Sequence, residues 1–174
     1  MPRVGVPAWA SATYSGTARR LVLSYKDGQR SLAGPLGLLL ADAVRAALDG
    51  LQAQGATLVP IPGHRRPGRG FDALAGIGNA AVRNLRAAGW EVVLVRALDL
   101  RSDYRPAKSM GRNDRLEALA GAFVASPRFP APRPGAPLLV VDDVLTTGAT
   151  LAQAIAALRS AGYTPMGACV VAAA

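Results

Sequence analysis

Apolar residues recur at intervals of three and four along four stretches of the chain, which is the spacing of a helix with one buried face. The stretches predicted to be helical are 17–26, 31–48, 72–88 and 150–160. Short uninterrupted apolar runs predict buried strands at 57–61, 91–95, 121–124, 138–141 and 166–172. Strands that alternate with helices are typical of a mainly parallel sheet flanked by helices. We therefore expect a single α/β domain over residues 1–174.

The composition is that of a folded domain. Hydrophobic residues make up 51% of the 174 residues and the mean hydropathy is +0.22, values that disfavour a disordered chain. The apolar run at 36–40 is soon followed by Asp42 and Arg45, so no membrane span is expected. The N-terminus lacks the pattern of a secretory signal, which predicts a cytoplasmic protein. Cys169 is the single cysteine, so we expect a buried, unreactive thiol and no zinc site built from cysteines.

The net charge of +9 and the pI near 11 favour anionic partners such as phosphates, nucleic acid or an acidic surface. Eighteen of the 20 basic residues are arginine, and biased composition with solvated surface arginines explains part of that charge equally well. The location of the charge is more informative than its total. Residues 61–115 hold 11 basic residues against five acidic ones, so this region is the predicted anion-binding part of the chain.

Two adjacent carboxylates, Asp142 and Asp143, follow the apolar run at 138–141, and a hydroxyl-rich loop and a predicted helix follow them. The loop comprises Thr146, Thr147, Gly148, Ala149 and Thr150. Such a loop presents backbone N–H groups and a helix dipole to an anion, although N-capping alone would also account for the threonines. Two acids beside a buried strand are costly unless a polar ligand uses them. Sugar hydroxyls and hydrated Mg²⁺ suit carboxylates, so a sugar phosphate site is predicted.

The segment 140–150 resembles the motif with which type I phosphoribosyltransferases bind 5-phosphoribosyl-1-pyrophosphate (PRPP): an apolar strand, two acids, two apolar residues, then T-T-G-x-T. The resemblance implies the single-domain type I phosphoribosyltransferase fold. It implies that Asp142 and Asp143 hold the ribose and that Thr146 through Thr150 hold the 5-phosphate. It also implies Mg²⁺ that arrives with PRPP near the two aspartates, without a protein-only metal site.

Three further segments are similar to the ComF family, a competence-associated branch of this fold. They are Tyr14-Ser15-Gly16 with the helix ending at Asp27-Gly28, Val59-Pro60-Ile61-Pro62 with Arg69-Gly70-Phe71-Asp72, and Arg115 with Gly121-Ala122-Phe123. The chain departs from the family pattern at Asp72 and Ala118, where asparagine is usual, and near Ala107 or Lys108, where glutamine is usual. The cysteine-rich zinc finger with which many members begin has no counterpart in it.

The resemblance implies two functional loops. The expected pyrophosphate-binding residues are Ile61, Pro62, Gly63, Arg65, Arg66 and Arg69. Exposed N–H groups and arginines would neutralise a leaving pyrophosphate there, and a stiff surface turn with solvated arginines is the alternative. His64, the single histidine, is either a base or a polar loop residue.

The basic segment 101–115 takes the place of the loop that covers the active site in this fold. Lys108 and Arg115 are its candidate catalytic residues, together with Asp142 and Asp143. A mobile charged loop without chemistry is the alternative. Lys108 is one of two lysines in an arginine-rich chain, which suggests a need for a compact ammonium.

The resemblance implies Mg²⁺-dependent phosphoribosyl transfer with release of pyrophosphate, in a protein linked to natural competence and DNA uptake. Two other interpretations stay open: a non-catalytic sensor of PRPP or a nucleotide, and a competence factor that binds single-stranded DNA. Aromatic residues make up 5% of the chain, so base stacking would be modest. The candidate partners are PRPP, single-stranded DNA, a competence helicase and a second copy of the chain in a homodimer.

Overall fold

A five-stranded parallel sheet forms the centre of the protein, in a computed structural model that describes residues 4–63, 72–101, 121–126 and 135–174. The strands of this sheet are β1 (Ala8–Thr13), β2 (Gly55–Pro60), β3 (Glu91–Leu94), β6 (Leu138–Leu145) and β7 (Pro165–Ala173). Their order across the sheet is β1-β7-β6-β2-β3, and every neighbouring pair is parallel. A separate antiparallel pair joins β4 (Leu98–Leu100) to β5 (Phe123–Ala125).

Helices cover both faces of the sheet, which confirms the predicted α/β class. The described helices are α1 (Gly16–Lys26), α2 (Ala33–Gly50), α3 (Ala73–Ala87) and α4 (Ala149–Ser160), with a 3₁₀ turn at Arg30–Leu32. Alternate residues of β6 enter the two cores, because successive side chains of a strand point to opposite faces. Leu139 and Val141 pack with α1, α2 and α3, whereas Leu138 and Val140 pack with α4 and the β4–β5 pair.

Helix α2 belongs to the first of these cores. The stretch Arg30–Gly50 is long and apolar enough to cross a membrane by length and composition, with a mean hydropathy of 1.4. Its inward face, which includes Leu36, Leu40, Val44 and Leu48, is fully buried in the fold. These side chains pack on residues of α3 and the sheet. The hydropathy of this helix is therefore explained by its place in the core.

The sequence also explains where helix α3 begins and ends. The Asp72 carboxylate accepts a hydrogen bond from the Ala75 N–H at 3.0 Å, which is a typical N-cap. Gly89 follows the helix with a φ of 89°, a conformation that glycine adopts without steric cost. An asparagine at this position would cap the helix equally well.

Strand β6 is four residues longer than the apolar run predicted. The prediction ended the strand at Val141, but Asp142, Val144 and Leu145 continue to pair with Val170, Ala172 and Ala173 of β7. The prediction was wrong because two charged side chains were taken as the end of the strand, although backbone pairing does not depend on them. Asp142 and Asp143 consequently lie within the C-terminal half of β6, before its end at Leu145.

The single cysteine, Cys169, lies on β7 and is fully buried, as predicted. Burial raises the pKa of its thiol to about 12. The reactive thiolate is therefore disfavoured.

Candidate functional site

The two central strands, β2 and β6, mark the point where the chain changes direction across the sheet. After β2 the chain returns through α3 to β3 on one side, and after β6 it returns through α4 to β7 on the other. The two helices accordingly lie on opposite faces of the sheet. In open α/β sheets, a crevice forms beyond the carboxyl ends of two such strands, and ligands bind there. The topology therefore places the candidate site beyond the ends of β2 and β6.

Strand β6 extends into this crevice because β2 stops first. The register between them ends where Pro60 pairs with Val141, followed by a hydrogen bond from the Ile61 N–H to the Val141 carbonyl at 3.1 Å. Beyond that bond, β6 keeps β7 on one side, while the chain after β2 leaves the sheet. Asp142 and Asp143 are the first residues of β6 past this divergence.

The backbone fixes the orientation of the Asp142 carboxylate. The Asp143 N–H donates to Asp142 Oδ1 at 2.8 Å. Burial, and then the neighbouring Asp143 carboxylate, raises the pKa of Asp142 to about 7, against the opposing effects of this hydrogen bond and of Lys26. A carboxyl with a pKa near neutrality can accept or donate a hydrogen bond under physiological conditions.

Lys26, the last residue of α1, reaches the acid pair from the helical layer. Its Nζ lies 2.6 Å from Asp143 Oδ2, with side-chain exposures of 32% for Lys26 and 13% for Asp143. Lys26 was not among the residues predicted for the site from the sequence. Its scarcity was an available signal, since the argument made for Lys108 applies equally to the other lysine of the chain.

The hydroxyl-rich loop turns directly from β6 into α4. Gly148 is the N-cap residue, with φ 77° and ψ 0°, a left-handed conformation that a residue with a Cβ adopts at a cost. The Ala149 N–H lies 3.4 Å from Thr147 Oγ1, and the Ala152 N–H donates to the Gly148 carbonyl at 2.9 Å. Thr146 is exposed, and Thr147 and Thr150 are half-buried. The loop therefore offers hydroxyls at the N-terminus of a helix, an arrangement suited to a phosphate.

The loop that follows β2 approaches the same crevice. Ile61 is buried, Pro62 is half-buried, and Gly63 is exposed, with open space where a Cβ would stand. The other predicted pyrophosphate residues, Arg65, Arg66 and Arg69, and also His64, lie outside the described residues. The predicted catalytic residues Lys108 and Arg115 lie outside them as well.

A second ion pair stands at the start of α3. Asp72 Oδ2 lies 3.3 Å from an Arg96 guanidinium nitrogen, and both side chains are largely exposed. An exposed pair of this kind contributes about 0–1 kcal/mol. Its role is therefore local to the junction between α3 and the end of β3.

The acidic groups do not form a complete metal site by themselves. Within the described ranges, no three histidine, cysteine, aspartate or glutamate side chains come together closely enough to hold a metal ion. Two carboxylates at the mouth of a crevice can assist a hydrated Mg²⁺ that a phosphate ligand carries, because Mg²⁺ keeps several water molecules and few protein ligands. The arrangement fits a metal that is bound together with its ligand.

The comparisons with known proteins give one partial similarity. No family profile matches the chain. A stretch of 68 residues is 44% identical to the transcriptional regulator GfcR of Haloferax volcanii. The match covers 39% of this chain and 30% of GfcR, so it spans less than a third of the length of that relative.

Proposed function

We propose that the protein binds PRPP in the crevice beyond β2 and β6 and transfers its phosphoribosyl group to a nucleophile, with release of pyrophosphate. One observation carries the proposal. The acid pair, the hydroxyl loop and the positive end of α4 follow one another within 11 residues at the topological switch point of a parallel sheet. Carboxylates suit sugar hydroxyls and a helix N-terminus suits a phosphate, so a phosphorylated sugar matches both halves of the site.

In this proposal Asp142 and Asp143 accept hydrogen bonds from the two ribose hydroxyls. The partial burial of Asp143 strengthens such bonds, because bulk water competes less for the carboxylate. As the bond at C1 lengthens, positive charge develops on the sugar ring. Two carboxylates beside the ring stabilise that charge in the transition state, and this stabilisation is their proposed contribution to catalysis.

The 5-phosphate is assigned to Thr146, Thr147 and Thr150, with the backbone N–H groups around Gly148. The left-handed turn at Gly148 lets the backbone approach the anion closely. The dipole of α4 adds about 0.3–1 kcal/mol for an exposed anion and up to about 2 kcal/mol when the anion is partly buried.

The reaction breaks the bond between ribose C1 and the pyrophosphate oxygen, and the electron pair leaves with pyrophosphate. The acceptor forms the new bond to C1 and gives up its own proton. The loop of Ile61, Pro62 and Gly63, with the arginines that follow it, is proposed to receive the pyrophosphate. Mg²⁺ bound with PRPP would add positive charge at the leaving group. Lys108 and Arg115 are proposed to act on that same departing charge.

On the sequence resemblance to the ComF family, we further propose that the protein acts in DNA uptake, in the cytoplasm. The experiment that tests the enzymatic part measures pyrophosphate release from Mg²⁺–PRPP with a panel of bases, amines and single-stranded DNA. Release that depends on one acceptor and is lost in the Asp142→Asn, Asp143→Asn double variant is the expected result. Absence of release with every acceptor, while PRPP still binds, would refute turnover.

A sensor that binds PRPP or a nucleotide without turnover is the second candidate. The partial similarity to a transcriptional regulator favours it, since regulation calls for binding without chemistry. The same assay distinguishes the two, because a sensor binds Mg²⁺–PRPP and releases no pyrophosphate.

A further inference from the structure

The ion pair between Lys26 and Asp143 joins the helical layer to the candidate site. The two residues lie far apart in the sequence, and their charged atoms meet at 2.6 Å. Asp143 is 13% exposed, so its carboxylate has lost much of its water, and a buried charge of this kind needs a compensating partner. Lys26 supplies that compensation to a carboxylate that the proposed ligand must also use.

The position of Lys26 is fixed by the residue before it. Tyr25 is 2% exposed and its hydroxyl donates to the Ala73 carbonyl at 2.9 Å, which ties the last turn of α1 to the start of α3. The lysine stem thus begins from an anchored helix end, and its flexible four-carbon chain can carry the ammonium to or from Asp143. The anchor fixes the point on α1 from which the lysine side chain reaches Asp143.

We propose that Lys26 is a positioning residue that serves as the resident counter-cation of the acid pair. Its ammonium occupies the place beside Asp143 that a divalent cation would take, so the free protein does not take up such an ion there. Ligand entry then requires Lys26 to leave Asp143, which links the end of α1 to occupation of the site. Displacement of Lys26 by the ligand rests on the proposed function, whereas exclusion of a divalent ion from the free protein does not.

Titration of the free protein with Mn²⁺, followed by electron paramagnetic resonance in the absence of PRPP, tests this role. The variants are Lys26→Gln, Lys26→Met as a second neutral replacement, and Lys26→Arg, which keeps the charge. Arg19→Gln removes the same charge from an exposed position of the same helix. Measurement at pH 8.5 ensures that a proton on Asp142 does not compete with the metal. Circular dichroism establishes that each variant is folded.

We expect both neutral Lys26 variants to bind Mn²⁺ at least about 10-fold more tightly than the wild type, because the ammonium repels a divalent ion that approaches Asp143. Lys26→Arg should restore weak binding, and Arg19→Gln should match the wild type. Adding Asp143→Asn to Lys26→Gln should abolish the gain. Equal Mn²⁺ affinity in the wild type and both neutral variants, or an equal gain in Arg19→Gln, would overturn the inference. A wild type that fails to bind Mg²⁺–PRPP would refute the proposed function and leave this result standing.

Discussion

Replacing Asp142 by asparagine should make the protein more stable at alkaline pH and remove much of the pH dependence of its unfolding. Asp142 is half-buried beside a second carboxylate, and its pKa is raised from 3.8 to about 7, first by burial and then by Asp143. The native state therefore binds the proton more tightly than the unfolded state does. Between about pH 4 and pH 7 the stability of the wild type falls as pH rises, because the native protein must give up a proton that the unfolded chain has already lost.

The magnitude follows from the size of that change in pKa. A rise from 3.8 to about 7 corresponds to about 4 kcal/mol, at about 1.4 kcal/mol for each factor of ten. Because Asp142 is partly exposed, solvent screens the interactions that raise its pKa. The free energy of unfolding is therefore expected to fall by about 1–3 kcal/mol between pH 5 and pH 8. Asparagine keeps an oxygen that can accept the hydrogen bond from the Asp143 N–H. The variant should thus lose the cost of ionisation without losing that hydrogen bond.

Denaturant unfolding followed by the fluorescence of Trp9 and Trp90 at pH 5 and pH 8 measures the effect. Between pH 5 and pH 8 the free energy of unfolding should fall by about 1–3 kcal/mol more in the wild type than in Asp142→Asn. Each kcal/mol corresponds to about 2–4 °C in Tm. Asp99→Asn is the matched control, since Asp99 is exposed on β4 and the replacement removes the same charge. Parallel pH profiles for the wild type and Asp142→Asn would refute the argument that this carboxyl is destabilised by its surroundings.

Three further predictions concern packing, nucleic acid and the basic loop. Gly37→Ala should destabilise the protein by about 1–3 kcal/mol in denaturant unfolding, because the new Cβ would overlap the Cβ of Ala80 where α2 crosses α3. Gly34→Ala is the control on the same helix, since its new Cβ meets open space and should not destabilise the protein. If the 61–115 region binds single-stranded DNA, anisotropy should show an affinity that falls steeply with salt and competition by PRPP, and no binding at low salt would remove that interpretation. Lys108→Ala and Arg115→Ala should each slow transfer by about 10- to 1000-fold with little change in PRPP affinity; parallel losses of binding and rate would instead make the loop a binding clamp.

Helices and buried strands could be predicted because their patterns are local. The 3.6-residue spacing in 17–26 and 72–88 appears in the fold as Gly16–Lys26 and Ala73–Ala87, each within one residue. Strand β1 was not predicted because Ala8–Thr13 is an edge strand of exposed and half-buried residues, in which Trp9 is the one large apolar side chain. Strand β4 has three residues with Asp99 at its centre, so it offers no apolar run. Tertiary pairing defines both of these strands.

The candidate site was likewise predictable from the sequence only in part. Its strand, acids, hydroxyl loop and helix are consecutive in the sequence, so their order predicted that the acids and the loop would lie where this strand passes into its helix. The contact of Lys26 with Asp143 depends on the packing of α1 against the start of α3. No periodicity or spacing within either segment encodes that contact, and the rarity of lysine was applied to Lys108 alone.

Calorimetric titration of the wild type and of the Asp142→Asn, Asp143→Asn double variant with Mg²⁺–PRPP tests the central claim most directly. The wild type should bind, and the folded double variant should bind about 10-fold or more weakly, since lost charge-assisted hydrogen bonds cost about 1.5–3 kcal/mol. Asp99→Asn should bind like the wild type. An unchanged affinity in the folded double variant, or no binding by the wild type, would contradict the assignment of the acid pair to the ribose of PRPP.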